Sequence, residues 1–295
     1  MPETPRNRGA TLPRRQLGRY LVDWRKQAGF TQVGAAQRLE MGATSLNRLE
    51  KGETGRIKTM VIQAICDLYG VPEDLAEAFK GLAQQANVKS WWHQYGDMIP
   101  QNFDVYVGLE TAATQIITYQ PDLVPGLLQT ADYNRSLVRL IWPDETPEQW
   151  DQRVQIKTQR QNIITRKTQP VELDVVIGEA ALHRIAGSRA VMAAQRRHLA
   201  DMSTRDNITV RVLPFDAGFP DGISMPPFVI LNFGEDQAGA PVEPPVVFLE
   251  GAVGDMYLEK EDDVRLYSRR YESIKAAALD ETMSRNLLRR VAKGA

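Results

Sequence analysis

The chain has 295 residues, 43% hydrophobic and 25% charged, with a formal net charge of −1 and a single cysteine, Cys66. At roughly 150 residues per domain this predicts two domains of ordinary globular composition. No run approaches the ~18 apolar residues of a membrane span. The opening MPETPRNRGATLPRR lacks the apolar segment of a signal peptide, and one cysteine forms no internal disulfide, so a cytoplasmic protein without membrane contact is expected.

The charge is unevenly distributed. Residues 1–60 hold 12 Lys/Arg against 5 Asp/Glu, leaving 24 against 32 of the totals of 36 and 37 to the rest of the chain. A basic head neutralises phosphates and releases counterions, as a DNA-binding module must. On charge alone, a solvated basic tail is the competing reading.

Residues 1–13, with three prolines, Arg6 and Arg8, read as an arm. Leu17, Leu21, Trp24 and Ala28 recur at helical spacing before Gly29. Thr31–Gly52 then has the periodicity of two short helices joined by a tight turn, a helix-turn-helix. Thr31 is placed to cap the first, with Val33, Ala36 and Leu39 on one face. The second runs from about Ala43, turning Leu46 and Leu49 inward and leaving Ala43, Thr44, Ser45, Asn47 and Arg48 outward, where a helix lying in the major groove meets base edges. Met60, Ile62, Ile65 and Leu68 mark a fourth helix, in which Cys66 reads as a small buried hydrophobe. Pro72, Glu73 and Asp74 open a fifth through Leu75, Phe79 and Leu82. The expected head is an all-α, five-helix domain over residues 1–85.

Through Thr31-Gln32, Ala36, Leu39, Leu46, Arg48, Leu49, Glu50 and Gly52 this stretch resembles the Cro/repressor-like (Xre-type) helix-turn-helix DNA-binding proteins. The resemblance implies double-stranded DNA as partner. It puts Gln32 on a phosphate, Ala43, Thr44, Asn47 and Arg48 at base-facing positions, and Arg56 and Lys58 in the basic loop that follows. Two residues depart from the pattern. Glu40 stands where the family has its turn glycine, and Gly42 stands where it has a Ser/Thr cap. A left-handed glutamate costs about 1–2 kcal/mol, so either Glu40 bears that strain or Gly42 takes the positive φ.

Residues 86–99 form an aromatic linker whose Trp91, Trp92 and Tyr95 dock on the second domain or contact a ligand or partner. Residues 100–295 read as an α+β domain with a mostly central sheet. A helix is expected from Phe103 to before Pro121, a second capped by Thr130 through Tyr133, Leu137 and Leu140, and a third from Thr146-Pro147-Glu148 to about Arg166 with a polar face of Arg153, Lys157 and Arg160. VELDVVIG, ITVRVLPF, PFVILNF and VVFLEG read as strands and GDMYLEK as a weaker one, with a helix through Val191, Gln195 and Leu199 and closing helices at about 261–279 and 281–292. VPGLLQT at 124–130, Arg160-Gln161, Glu179-Ala180-x-Leu182, ITVRVLPF and FLE at 248–250 resemble the C-terminal domain of a large actinobacterial set of helix-turn-helix regulators. The resemblance assigns that domain no activity; it implies a small acidic partner protein for many members, and a toxin–antitoxin-like or developmental role for some.

Chemistry is sparse. Neither GxGxxG nor GxxxxGK occurs, and His93, His183 and His198 have no metal-ligand spacing, so no metal and no cofactor is expected. Glu110, Glu179 and Glu250 sit near apolar runs, and Glu179 and His183 are four apart; salt bridging and capping are their ordinary uses. The expectation is a non-enzymatic, homodimeric transcriptional regulator whose second domain senses a small-molecule ligand or small partner protein, or mediates dimerisation. The alternative is a toxin–antitoxin-like component: an antitoxin, or an enzyme-like domain with an autoregulatory DNA-binding head.

Overall fold

The computed structural model describes residues 12–88, 103–235, 241–251 and 254–294. Most of the N-terminal arm, and Trp91, Trp92 and Tyr95 of the linker, lie outside these residues. The chain divides between Ala112 and Ala113 into two compact units.

The first unit carries α1 (Leu12–Gln27), α2 (Gln32–Arg38), α3 (Ala43–Glu50), α4 (Thr59–Tyr69) and α5 (Glu73–Ala86), followed by α6 (Phe103–Ala112). The sequence reading grouped α6 with the second domain. The apolar spacing of α1, α3, α4 and α5 closes one core in which Leu17, Leu21, Leu46, Ile62 and Ile65 are fully buried, and Tyr20 stacks on Phe79 with ring centroids 5.2 Å apart. Gly70 ends α4 at φ 73, where a side chain would be strained. Within α2 the buried face is Ala35 and Ala36, while Val33 is exposed. Of the expected Val33–Ala36–Leu39 face, Ala36 is buried and Leu39 packs against the core, while Ala35 takes the inward place expected of Val33.

The second unit runs β1 (Gln115–Gln120), α7 (Ala131–Ile141), α8 (Pro147–Arg160), α9 (Asn162–Thr165), β2 (Glu172–Gly178), α10 (Ala180–His183), α11 (Arg189–Met202), β3 (Ile208–Leu213), β4 (Phe228–Asn232), β5 (Val246–Leu249), β6 (Met256–Leu258), α12 (Glu261–Ala277) and α13 (Glu281–Lys293). The architecture is α+β, around a six-stranded mixed sheet in the order β3-β2-β1-β4-β5-β6. β1, β2 and β3 are parallel, joined by helical crossovers, and β4, β5 and β6 add antiparallel neighbours beyond β1. One face packs Tyr119, Val176, Leu213, Phe228 and Ile230 under Tyr271 and Ile274 of α12.

Three expectations are corrected here. The helix expected to reach Pro121 stops at Ala112, and Gln115–Gln120 is a strand at the heart of the sheet. Ile116, Ile117 and Thr118 are β-branched, and pairing with β2 on one side and β4 on the other satisfies their backbone, which outweighs the helical reading of this stretch. The third expected helix breaks into α8 and α9 at Gln161, whose amide donates to the carbonyls of Gly126 (3.1 Å) and Gln129 (2.7 Å). Its supposed polar face turns inward: Arg160 is buried and the Lys157 ammonium lies 3.1 Å from Gln129 Oε1. In α7, capped by Thr130 as expected, Val138 is buried and Leu140 is exposed.

The VPGLLQT segment is a 3-10 turn clasped by glutamines. Gln129 donates to Val124 O (2.7 Å), and Gln195 of α11, wholly buried, accepts from Thr130 N–H (2.7 Å) and donates to Leu128 O (2.7 Å). Gln195→Leu leaves both backbone groups unpaired at ~1–3 kcal/mol each; urea denaturation of this variant is expected to show a lower midpoint with unchanged slope, and a midpoint equal to that of the wild type would refute the clasp.

Candidate nucleic-acid interface

The helix-turn-helix is assembled from α2, the 39–42 turn and α3. Thr31 caps α2, its hydroxyl accepting from Gly34 N–H at 3.1 Å. The turn resolves the two alternatives left by the sequence: Glu40 takes φ 52, while Gly42 sits at φ −66 and caps α3 with no side-chain bond. The turn strain is thus borne by Glu40, on the surface, and α3 begins at Ala43 as expected from periodicity.

One buried ion pair fixes α3. Glu50 Oε1 accepts from Arg25 Nε at 2.6 Å and Oε2 from Arg25 Nη2 at 3.1 Å, with the two side chains only 12% and 3% exposed. Arg25 also donates to Phe30 O (3.0 Å), and Gln32 Nε2 donates to Glu50 Oε2 (2.8 Å). Hydrogen bonding to Glu50 raises the Arg25 pKa above its ordinary value despite burial. These bonds join α1, the start of α2 and the end of α3. Backbone proximity completes the joint: a Cβ on Gly18 would lie 2.2 Å from Glu50 O, so α1 crosses α3 at a distance only glycine allows. Gly52, at φ 70, closes α3 against Arg14 of α1.

On this frame, Thr44 and Ser45 are exposed at the start of α3, Asn47 and Arg48 are half-buried, and Ala43 packs partly against the core. Asn47 Oδ1 lies 3.4 Å from Gln32 Nε2, and Arg48 Nη2 lies 3.4 Å from Glu53 O. Gln32, expected on a phosphate, is thus already held by Glu50, an arrangement that orients its amide beside α3. Arg56 and Lys58 are exposed on the loop before α4. That loop is pinned by a residue the sequence reading missed: Asn87, just after α5, accepts from Ile57 N–H (2.9 Å) and donates to Ile57 O (2.7 Å). The only signal was a polar residue where the helical pattern lapses. Arg38 stacks over Phe30, 5.3 Å from the ring centroid.

The remaining candidates are dispersed. Cys66 is fully buried in the head, and burial pushes its thiol up to about 11. Glu110 is buried in α6. Glu179, following β2, accepts from Phe215 N–H at 2.9 Å and lies 3.5 Å from His183 Nε2, and Glu250 is exposed after β5. Among the described residues no group of His, Cys, Asp and Glu is placed to hold a metal ion, and no helix is long and apolar enough to cross a membrane. Trp91, Trp92 and Tyr95 fall outside the described residues.

Residues 16–79 match a helix-turn-helix domain family. Residues 103–290, more than half of the chain, match the family described as a domain of unknown function (DUF5753), and the chain belongs to it. No curated protein and no solved structure matches the chain.

Arg25→Met strands a buried carboxylate and is expected to cost the head about 3–5 kcal/mol, whereas Arg25→Met combined with Glu50→Leu costs less; chemical denaturation of both variants checks the order, and a double variant less stable than the single one would overturn it. Cys66 is expected to resist alkylation at pH 8, where a thiol of pKa about 11 is only about one part in a thousand thiolate, and to label fully on unfolding. Rapid labelling of the folded chain, read by mass spectrometry, would contradict its burial.

Proposed function

We propose that this chain is a sequence-specific DNA-binding transcriptional regulator acting in the cytoplasm, with α3 in the major groove and the second unit controlling the head by binding. The observation that carries this reading is the joint of Arg25, Glu50 and Gln32. It presents Thr44 and Ser45 on a rigid short helix, followed by Asn47 and Arg48 and flanked by exposed Arg56 and Lys58. Reading base edges requires side chains held in fixed register, and a frame of bidentate hydrogen bonds supplies that. Asn47 has the chemistry to pair with adenine N6/N7 and Arg48 with guanine O6/N7. The loop cations supply contacts that fix position without reading sequence.

For the second unit, the reading is regulation by a small-molecule ligand, a small partner protein or a second copy of the chain, without turnover. It is supported by the use already made of its polar groups. Gln129, Gln161 and Gln195 are engaged by backbone, and Glu179 is anchored by Phe215 N–H. If two copies join, paired heads address half-sites about 34–36 Å apart, and coupling raises apparent affinity through effective concentration.

The expected outcome of Arg48→Ala is a loss of about 1–3 kcal/mol of discrimination between matched and scrambled sites. Lys58→Ala is expected to weaken binding to both alike and to lower the salt slope by about one unit. Fluorescence-anisotropy titrations at several salt concentrations, on a site first selected from random duplexes, separate the two. Equal losses on both DNAs for Arg48→Ala would remove it from base reading, and failure to select any site would sink the regulator reading itself.

A further inference from the structure

The second unit carries a localised cationic surface that its overall charge conceals. From residue 113 on, 22 Lys/Arg stand against 25 Asp/Glu, yet α11 and α13 together expose Arg189, Arg197, Arg289, Arg290 and Lys293. None of these takes part in a hydrogen bond or ion pair among the described residues. Elsewhere in the unit Arg184 pairs with Asp122, Arg211 with Glu281, Arg265 with Asp262 and Lys275 with Asp174. Carboxylates are correspondingly scarce on the two helices. Asp201 is the acid of α11, and Glu281 is that of α13, already engaged by Arg211.

The packing of the helices gathers these charges. Arg196 Nη1 donates to Val291 O (3.2 Å), and Arg285 donates from Nη2 to Ser203 O (2.6 Å) and from Nε to Ser203 Oγ (2.9 Å). Residue 196 thus faces 291 and residue 203 faces 285, so α11 and α13 run antiparallel. That register sets Arg197 level with Arg289 and Arg290, and Lys293 one turn further along α13. The buried side of α11 is Met192, Gln195, Arg196, Leu199 and Ala200, and that of α13 is Ser284, Leu287, Leu288 and Ala292, so at 100° per residue Arg197 and Arg289 stand well away from the buried sides and Lys293 nearly opposite that of α13. Like charges so placed repel, and a fold that keeps them unpaired gains nothing in stability from them.

We propose that this α11–α13 ridge is a second phosphate-binding surface, through which the C-terminal unit holds duplex DNA outside the segment read by α3. The proposal rests on the regulator reading. DNA is the polyanion that reading already brings to the chain, and a ridge of guanidinium and ammonium groups with no base-reading partner is suited to its backbone. Contacts of this kind add affinity and salt dependence without altering sequence preference.

The test uses the full-length chain, titrated at several salt concentrations against two duplexes. One is limited to the selected site, and the other carries about ten further base pairs on either side. The expected result is a steeper salt slope for the wild type on the longer duplex. Replacing Arg197, Arg289 and Lys293 together by alanine is expected to lower that slope by about 2–3 units, with no change on the short duplex or in discrimination between matched and scrambled sites. Arg197→Lys with Arg289→Lys retains the slope. A triple variant with the wild-type slope on the longer duplex overturns the proposal. Retention of poly-glutamate by the wild type but not by this variant, alongside that unchanged slope, reassigns the ridge to an acidic polypeptide. A wild-type chain that binds no duplex defeats both this proposal and the regulator reading, whereas an unchanged slope with intact site selection defeats the ridge alone.

Discussion

The bidentate bond between Arg25 and Glu50 is the constraint on which the DNA-facing part of the molecule depends. A short helix such as α3 is marginal by itself, since nucleation costs more than a few hydrogen bonds return. Its direction is instead set at its last turn, where a buried carboxylate meets a planar guanidinium from α1 and an amide from α2. A buried ion pair is poor evidence of stability, because desolvation offsets much of the attraction. Its value here is geometric. Two parallel N–H to oxygen bonds tolerate little rotation, and Gly18 lets the helix backbones meet at the distance those bonds require.

The second unit uses neutral groups for a related purpose. Its parallel strands β1, β2 and β3 need helical crossovers, and the first of these passes through the VPGLLQT turn. A turn of that kind lying against packed helices leaves backbone carbonyls and N–H groups out of water, where each must find a partner. Gln129, Gln161 and Gln195 provide them from three separate segments of the chain. The glutamine amide offers both donor and acceptor, so one side chain can serve a carbonyl and an N–H of the turn together, as Gln195 does.

Much of the candidate interface was legible from local signals. Thr31 as a cap, the inward Leu46 and Leu49, the outward Thr44 and Ser45, and the start of α3 at Ala43 follow from hydrogen-bonding chemistry and helical period, which act within a few residues. The partners of Glu50 were not legible. Arg25 is separated from it by the whole of α2, and no periodicity links a guanidinium on one helix to a carboxylate on another. Asn87 escaped notice for the same reason: its role is to bond Ile57, on the far side of α4 and α5 in the chain.

By itself the sequence determined the helices of the head, the caps at Thr31 and Thr130, the strands β2 to β5 and the concentration of positive charge at the amino terminus, because each is set by neighbours in the chain. Only the tertiary structure decided that Gln115–Gln120 is a strand, that Glu40 and not Gly42 takes the left-handed turn, that Arg160 is buried, and that Arg197 stands level with Arg289. Each of these is settled by a partner distant in sequence: a sheet neighbour on either side of β1, the packing of α3 on α1, the turn at Gly126, and the antiparallel seating of α13 on α11. Local propensity differs between alternatives by about a kcal/mol or less per residue, and one such contact outweighs it.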